Sequence, residues 1–243
     1  MQQVFTTGLV RVSLASRARY AGAAAAIALA LAGFGISAHA FVTGDHRLDG
    51  FVLFGRPAPF DPSAPVGPRW AADAAWNLTA LGSPEVVVTI VVIATGCLLS
   101  LGRIAPAAYV IGSVVSGGTF GHLLKKAFGS VRPHLGPTHG IESATSFPSG
   151  HALLASLLFF SLAVLALRCA SAAKRHRLGA FAFGAAALLS LTVGLSRVYL
   201  GLHWPTDVIA GWAAGAGWAV FFALVFARDP AEVALNGPSG RVG

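Results

Sequence analysis

The sequence has few charged residues for its length. Only 11% of its 243 residues are Asp, Glu, Lys or Arg, whereas 55% are hydrophobic and the mean hydropathy is +0.71. A soluble domain of this size carries about a quarter charged residues. The scarcity of charge therefore argues against a soluble domain and predicts an integral membrane protein with several spans.

Three other features are scarce or missing from the sequence. The two cysteines, Cys97 and Cys169, form neither a disulfide framework nor a zinc-binding spacing, so we predict unpaired thiols. The formal charge of +8 includes no polybasic run with interleaved aromatics, which argues against a nucleic-acid partner. The sequence has no carboxylate cluster of the kind that binds Mg²⁺, and we expect no metal and no other cofactor.

Long apolar runs predict an all-α fold, a polytopic membrane bundle of about six transmembrane helices. The predicted spans are 20–42, 84–101, 104–128, 152–169, 179–195 and 205–227. The predicted domains are a cytoplasmic segment 1–19, a membrane domain 20–228 and a cytoplasmic tail 229–243. Residues 43–83 are predicted to lie outside at the membrane interface, because their Trp and Phe side chains favour that zone.

The first apolar run has two interpretations. It is long enough to cross the hydrocarbon core as a retained helix. Alternatively it is a signal peptide, since Ala38-His39-Ala40 resembles a cleavage site that follows a basic N-terminal region. The length of the run favours the retained helix, and both interpretations bring the chain out of the cytoplasm at its end.

The Lys and Arg residues predict the orientation. With the N-terminus inside, ten of them fall on the inner side, including the basic linker 174–177, and seven on the outer side. Three of the outer cations, Lys125, Arg132 and Arg197, belong to polar motifs, and setting these aside leaves four. The prediction places both termini on the inner side of the membrane, and the loop 129–150 and the stretch 196–204 on its outer face.

The stretch 196–207 concentrates polar residues between two apolar runs, where polar groups are costly and usually functional. Asp207 follows His203 by four residues, about one helical turn, so its carboxylate can reach a ring nitrogen. A histidine oriented by a carboxylate can act as a base, a nucleophile or a metal ligand. The nearby Arg197 indicates an anionic reacting group.

Two more polar clusters fall on the same predicted face. Lys125 and Arg132 lie seven residues apart at the end of the third span. Ser149 is placed to cap the fourth span, and the free amides of a helix N-terminus form an anion site. For each cluster alone, a structural explanation is as good as a functional one; examples are a snorkelling lysine and a turn with its cap. All three on one face favour a functional site.

Taken together, the clusters resemble the type-2 phosphatidic acid phosphatase family, whose superfamily includes bacterial acid phosphatases and vanadium haloperoxidases. The family's three motifs correspond here to Lys125 with Arg132-Pro133, to Pro148-Ser149-Gly150-His151, and to Ser196-Arg197 with His203 and Asp207. Residues and spacings match without departure.

This resemblance implies a metal-independent phosphatase that hydrolyses phosphomonoesters or diphosphates through a phosphohistidine. In that mechanism His203 is the nucleophile, Asp207 orients it, and His151 protonates the leaving oxygen and then activates water. The implied phosphate-binding residues are Lys125, Arg132, Ser149, Gly150 and Arg197.

Other functions on the same motifs are less favoured. The apolar spans argue against a soluble haloperoxidase or a secreted acid phosphatase. The alternative from a different class is a non-catalytic lipid-binding or transport protein on the same scaffold. Such a protein should have lost His203 or Asp207, and the sequence has both. The expected partners are the bilayer and a lipid phosphate: undecaprenyl diphosphate, phosphatidate, phosphatidylglycerol phosphate or a lipid A phosphate. At the level of the sequence, the choice among these lipids and the oligomeric state stay open.

Overall fold

The structure, a computed structural model, describes residues 14–44, 47, 49, 67–128 and 145–226. These residues form seven α-helices of eleven or more residues and a short 3₁₀ turn, Ala80–Gly82. In chain order the helices are α1 (Leu14–Thr43), α2 (Arg69–Thr79), α3 (Pro84–Ser100), α4 (Ile104–Phe128), α5 (Gly150–Cys169), α6 (Ala172–Tyr199) and α7 (Pro205–Val225).

Within the described ranges, five helices are long and apolar enough to cross a membrane, namely α1, α4, α5, α6 and α7. Helix α3 has 17 residues, the short end of the range of about 17 to 25 that a span needs. Together with α2 and the 3₁₀ turn, which meet it at a bend of 51°, it forms a sixth candidate span. The predicted all-α membrane bundle of about six spans is confirmed, and helix α3 lies at the predicted span 84–101.

Helix α6 extends well beyond the predicted span 179–195. It includes the basic residues 174–177, which were predicted to form a linker between two spans, and it also includes Ser196 and Arg197. Both boundaries were wrong for the same reason. Hydropathy marks where charges begin, but a helix continues through charged residues until its backbone is capped.

The cap of α6 is a glycine. Gly201 has a φ of 68°, a left-handed conformation that glycine adopts without strain. The amide of Leu202 then reaches the carbonyl of Arg197 at 3.0 Å, and the amide of Gly201 reaches the carbonyl of Val198 at 3.0 Å. These two bonds form a Schellman cap. The cap places Arg197 in the last turn of α6 and turns the chain toward His203.

Helix α5 lies in the middle of the bundle and packs against α4, α6 and α7. On α7, a Cβ at Gly211 would lie 2.6 Å from a carbonyl oxygen at the start of α5, and one at Gly215 would overlap the side chain of Ser156. Gly117 and Gly121 of α4 make similarly close approaches to leucines of α5. Small residues four positions apart on one helix face allow helices to approach this closely.

The alternating helix directions bring the polar motifs to one end of the bundle, called here the site end. Lys125 lies in the last turn of α4, Gly150 begins α5, and Arg197 lies in the last turn of α6. Cys97 and Cys169 lie toward the opposite end, where both are free and exposed, as predicted.

Candidate active site

A cavity of about 280 Å³ lies at the site end. Its polar lining comes from α4, α5, α6 and the turn before α7, and its apolar lining comes mainly from α4 and α5. The predicted site residues that line it are Lys125, Gly150, His151, Arg197 and His203. The other lining residues are Pro84, Gly118, Gly121, His122, Pro148, Leu153 and Leu154.

Three predicted site residues are not in this lining. Asp207 is buried behind His203, and Ser149 is buried directly before Gly150. Arg132 belongs to the range 129–144, which lies outside the described residues. The cavity therefore brings together members of all three motifs, while the place of Arg132 stays a prediction.

His203 and Asp207 are in direct contact. Nδ1 of His203 lies 3.3 Å from Oδ2 of Asp207, and both side chains are about 2% exposed. The same carboxylate oxygen accepts a hydrogen bond of 3.0 Å from the backbone amide of Trp204. Because Nδ1 faces the carboxylate, Nε2 on the other side of the ring is the nitrogen available for chemistry.

A third side chain in this contact was missed by sequence reasoning. The hydroxyl of Ser146 donates to Oδ2 of Asp207 and lies 3.3 Å from Nδ1 of His203. Ser146 is completely buried and stands two residues before the Pro148–His151 motif. Its position directly before the Phe-Pro pair that enters the motif was a signal that Ser146 lies near the site. Nothing in the sequence connected it to Asp207.

Aromatic packing holds Ser146 in place. Its neighbour Phe147 is fully buried, and the ring of Phe41 in α1 stacks on it with centroids 5.0 Å apart. Phe34 of α1 and Phe128 of α4 approach the same ring at 5.7 Å and 5.0 Å. Offset and edge contacts of this kind favour one ring position. The N-terminal helix thus takes part in shaping the segment that enters α5.

The two described cations of the site are held by residues from distant segments. Arg197 is 2% exposed, and its Nη1 donates to the hydroxyl of Thr79 at the end of α2, at 3.4 Å. Nζ of Lys125 lies 3.5 Å from the carbonyl oxygen of Thr145. A Cβ placed on Gly150 would lie 3.7 Å from the same Nζ, so the ammonium group reaches the start of α5. Neither Thr79 nor Thr145 was predicted from the sequence.

Ser149 occupies the predicted N-cap position of α5, but its side chain does not act as a cap. Its hydroxyl oxygen is buried and has no hydrogen-bond partner among the described residues. Its backbone amide donates to the carbonyl of Asp207 at 2.9 Å, which ties the starts of α5 and α7 together. A buried hydroxyl without a partner costs about 1–3 kcal/mol, so Ser149 is a strong candidate for bonding to a bound anion.

Across the described ranges, no three His, Cys, Asp or Glu side chains form a group that could hold a metal ion. The cavity instead presents an ammonium, a guanidinium and three imidazoles, those of His122, His151 and His203. Cations and a helix N-terminus are the protein groups that bind phosphoryl oxygens. The arrangement suits an anionic group held beside an oriented histidine.

The sequence model of the PAP2 superfamily matches residues 106–230, which contain every predicted site residue. The chain belongs to the PAP2 superfamily. The resemblance noted from the three motifs is thereby confirmed. Helices α1 to α3 precede the matched range.

Several characterised relatives share part of the chain. It is 37% identical over 130 residues to a lipid A 1-phosphatase of Rhizobium johnstonii, covering 50% of this chain and 48% of the relative. It is 35% identical to phosphatidylglycerophosphatase B of Bacillus subtilis, over 38% and 44% of the two chains. It is 34% identical to an undecaprenyl-diphosphatase of Sulfolobus acidocaldarius, over 43% and 47%. The chain spans about half the length of the curated relatives it matches.

A solved structure has the same fold. The crystal structure of a transmembrane PAP2-type phosphatidylglycerolphosphate phosphatase from Bacillus subtilis superposes with a TM-score of 0.66. The alignment covers 82% of this chain and 94% of that chain at 22% identity. The likeness covers more of this chain than the matched range does and supports the membrane-helical architecture.

Proposed function

We propose that the protein is a membrane lipid phosphatase that hydrolyses a phosphomonoester or a diphosphate through a phosphohistidine on His203. The observation that carries the proposal is the cavity in which His203, backed by Asp207, lies with Lys125, Arg197 and His151. The relatives support a phosphoric ester hydrolase, because their names are those of phosphatases that act on phosphorylated lipids or lipid diphosphates.

The nucleophile is Nε2 of His203. Contact between Nδ1 and Asp207 at 3.3 Å favours the tautomer with its proton on Nδ1, which leaves the Nε2 lone pair for attack on phosphorus. As the N–P bond forms, the ring becomes positively charged. The adjacent carboxylate stabilises that charge, and the hydroxyl of Ser146 and the amide of Trp204 keep the carboxylate directed at the ring.

The phosphoryl oxygens are bound by cations and by the start of α5. Lys125 and Arg197 line the cavity, Arg132 is the third proposed cation, and Ser149 and Gly150 supply a hydroxyl and an amide. A phosphate monoester carries a charge of about −1.5 to −2, which three cations neutralise. This charge balance supports hydrolysis without a metal ion or another cofactor.

His151 is the proposed acid and base. It lines the cavity in the first turn of α5, across from the helix that follows His203. Its protonated ring donates a proton to the leaving oxygen as the P–O bond breaks. The neutral ring then accepts a proton from the water that attacks the phosphohistidine, which releases phosphate and restores His203.

The cavity favours a lipid substrate because cationic and apolar surfaces adjoin. Leu153, Leu154 and the glycines of α4 form its apolar side. Undecaprenyl diphosphate, phosphatidylglycerol phosphate and lipid A 1-phosphate correspond to the three relatives, and phosphatidate is the fourth candidate. The proposed non-substrate partner is the bilayer.

A non-catalytic lipid-phosphate-binding or transport protein is the alternative on this scaffold. Such a protein needs the cations but has no use for an oriented nucleophile. The buried contact of His203, Asp207 and Ser146 therefore favours the enzyme, because three polar groups are desolvated to hold one ring.

Hydrolysis of these four lipids by the purified protein tests the proposal, with released phosphate as the readout. We expect one or more to be hydrolysed and His203→Ala to abolish turnover while the protein stays folded. His176→Ala, which removes an exposed histidine at the opposite end, is the matched control and should be fully active. Undiminished phosphate release by His203→Ala would refute the mechanism. Binding of the lipids without hydrolysis would favour the alternative function.

We also propose that the protein lies in a bacterial inner membrane with both termini inside and the site end on the periplasmic face. The ten-to-four distribution of non-motif cations supports this orientation. Single cysteines at Thr138 and Ala173, in a protein lacking Cys97 and Cys169, test it with an impermeant maleimide on intact spheroplasts. Labelling at 138 and not at 173 is expected, and the reverse pattern would put the site in the cytoplasm.

A further inference from the structure

The N-cap residue of the helix that follows the nucleophile has no side chain that can accept a hydrogen bond from the first turn. Helix α7 begins with Pro205 at its first position, which has no amide proton, so Thr206 carries the first amide that needs an acceptor. The residue at the N-cap is Trp204, and its side chain makes no capping hydrogen bond. An indole can only donate, so Trp204 is unable to serve as the acceptor.

The missing acceptor comes from a distant part of the chain. Asp49 receives a 3.0 Å hydrogen bond from the backbone amide of Thr206 on Oδ1 and a 3.0 Å bond from the Thr206 hydroxyl on Oδ2. The two residues are 157 positions apart. Asp49 is 1% exposed and Thr206 is 4% exposed. Two hydrogen bonds to a buried carboxylate make a specific contact that is costly to break.

Thr206 lies between the two residues that matter for the nucleophile. His203 is three positions before it, and Asp207 follows it directly. The carboxylate of Asp207 is already committed to the amide of Trp204 and to His203. The turn 203–207 is therefore fastened at two points, by Asp207 from within and by Asp49 from outside.

We propose that Asp49 is a positioning residue for His203, a role that rests on the proposed phosphatase function. It holds the first turn of α7 so that the ring of His203 keeps its place in the cavity relative to Lys125 and Arg197. Asp49 precedes the range matched by the superfamily, residues 106–230, so an N-terminal segment completes the site formed by the shared core. Asp49 does not line the cavity and is not proposed to touch the substrate.

The proposal predicts a specific kinetic effect. Without Asp49, the amide and hydroxyl of Thr206 are left without that acceptor, and the first turn loosens. The cations that bind phosphate come from α4 and α6, so substrate binding is retained. The rate of phosphoryl transfer should fall, because small displacements of a reacting group cost up to about a hundredfold in rate. The expected result is a lower kcat with little change in KM.

The experiment compares Asp49→Ala, Asp49→Asn and the control Asp73→Ala in detergent, using whichever of the four panel lipids the wild type hydrolyses fastest. Asp73 is an exposed carboxylate on α2. The readout is the single-turnover rate constant with enzyme in saturating excess over radiolabelled lipid. This rate constant does not depend on the fraction of misfolded enzyme, so a purely structural defect leaves it unchanged.

We expect Asp49→Ala to lower the single-turnover rate constant about tenfold or more, and Asp49→Asn, which keeps one acceptor, to lower it less. Asp73→Ala should match the wild type. A double-mutant cycle with Thr206→Val, which removes the hydroxyl but keeps the shape, tests the contact itself. Thr206→Val should slow the wild type and add little to Asp49→Ala.

The outcomes separate this inference from the proposed function. If the wild type hydrolyses none of the lipids, the proposed function fails and the inference falls with it. If the wild type is active and Asp49→Ala keeps the wild-type rate constant, the positioning role is refuted while the proposed function stands. Additive effects of Asp49→Ala and Thr206→Val would likewise overturn it. If Asp49→Ala does not fold, the single-turnover rate constants of Asp49→Asn and Thr206→Val test the proposal instead.

Discussion

Replacing Ser146 with alanine removes a hydroxyl that contacts both members of the proposed nucleophilic pair. The hydroxyl donates to Oδ2 of Asp207 and lies 3.3 Å from Nδ1 of His203. Alanine fits the same space without a clash. The change therefore tests the orientation of Asp207 with little disturbance of the surrounding packing.

The expected loss follows from the bonds that remain. A hydrogen bond to a charged group contributes about 1.5–3 kcal/mol. Oδ2 of Asp207 keeps its contacts with the amide of Trp204 at 3.0 Å and with His203 at 3.3 Å, so the carboxylate stays partly oriented. We therefore expect the lower end of the range, about 1.5 kcal/mol, which is roughly a tenfold reduction in kcat/KM.

The assay measures phosphate release by Ser146→Ala from the best lipid substrate, together with its melting temperature in detergent. Ser190→Ala is the matched control, since Ser190 is also buried and its hydroxyl bonds within α6, to the carbonyl of Ala186 at 2.7 Å. It should keep wild-type activity. A kcat/KM of Ser146→Ala within about twofold of the wild type would refute the orienting role. Complete inactivation of a folded Ser146→Ala protein would show that the remaining contacts are insufficient.

The other predictions concern the same site and the helix packing beneath it. Asp207→Asn should lower kcat more than Ser146→Ala does and less than His203→Ala, because it disturbs the tautomer and leaves the nucleophile; a steady-state comparison of the three variants checks this order. Vanadate should inhibit as a mimic of the trigonal-bipyramidal phosphoryl group, and EDTA should not inhibit; a strict Mg²⁺ requirement in a chelator titration would contradict the cation-only site. Gly215→Ala should destabilise the bundle by about 1–3 kcal/mol by pushing α7 from α5. Gly96→Ala, at a position with open space, should not, and equal melting temperatures for these two variants would argue against the close contact.

The motif residues were predictable because their information is local. His203 and Asp207 are one helical turn apart, and Lys125 and Gly150 mark the ends of apolar runs, so short spacings sufficed to associate them. The exact ends of α6 were not predictable from hydropathy. The C-terminal end depends on the positive φ of Gly201, which decides where the helix stops and so places Arg197 inside it.

The supporting residues could not be predicted because their contacts join distant segments. Ser146 meets Asp207 across 61 positions, Thr79 meets Arg197 across 118, and Asp49 meets Thr206 across 157. Ser and Thr are common in such segments, and an isolated Asp in a polar stretch is usually solvated. Only the tertiary arrangement distinguishes these three residues from the other Ser, Thr and Asp residues of the chain.

The starts of α5 and α7 lie side by side, yet they differ in electrostatic character. Each helix N-terminus carries the equivalent of about half a positive charge from its aligned peptide dipoles. At α7 this charge is met by the carboxylates of Asp49 and Asp207. The first turn of α5 contains no acidic residue, so its dipole is not offset by a carboxylate of its own. In the proposed mechanism, the positive end of α5 is thus directed at the substrate anion, whereas that of α7 is screened beside His203, which becomes a cation.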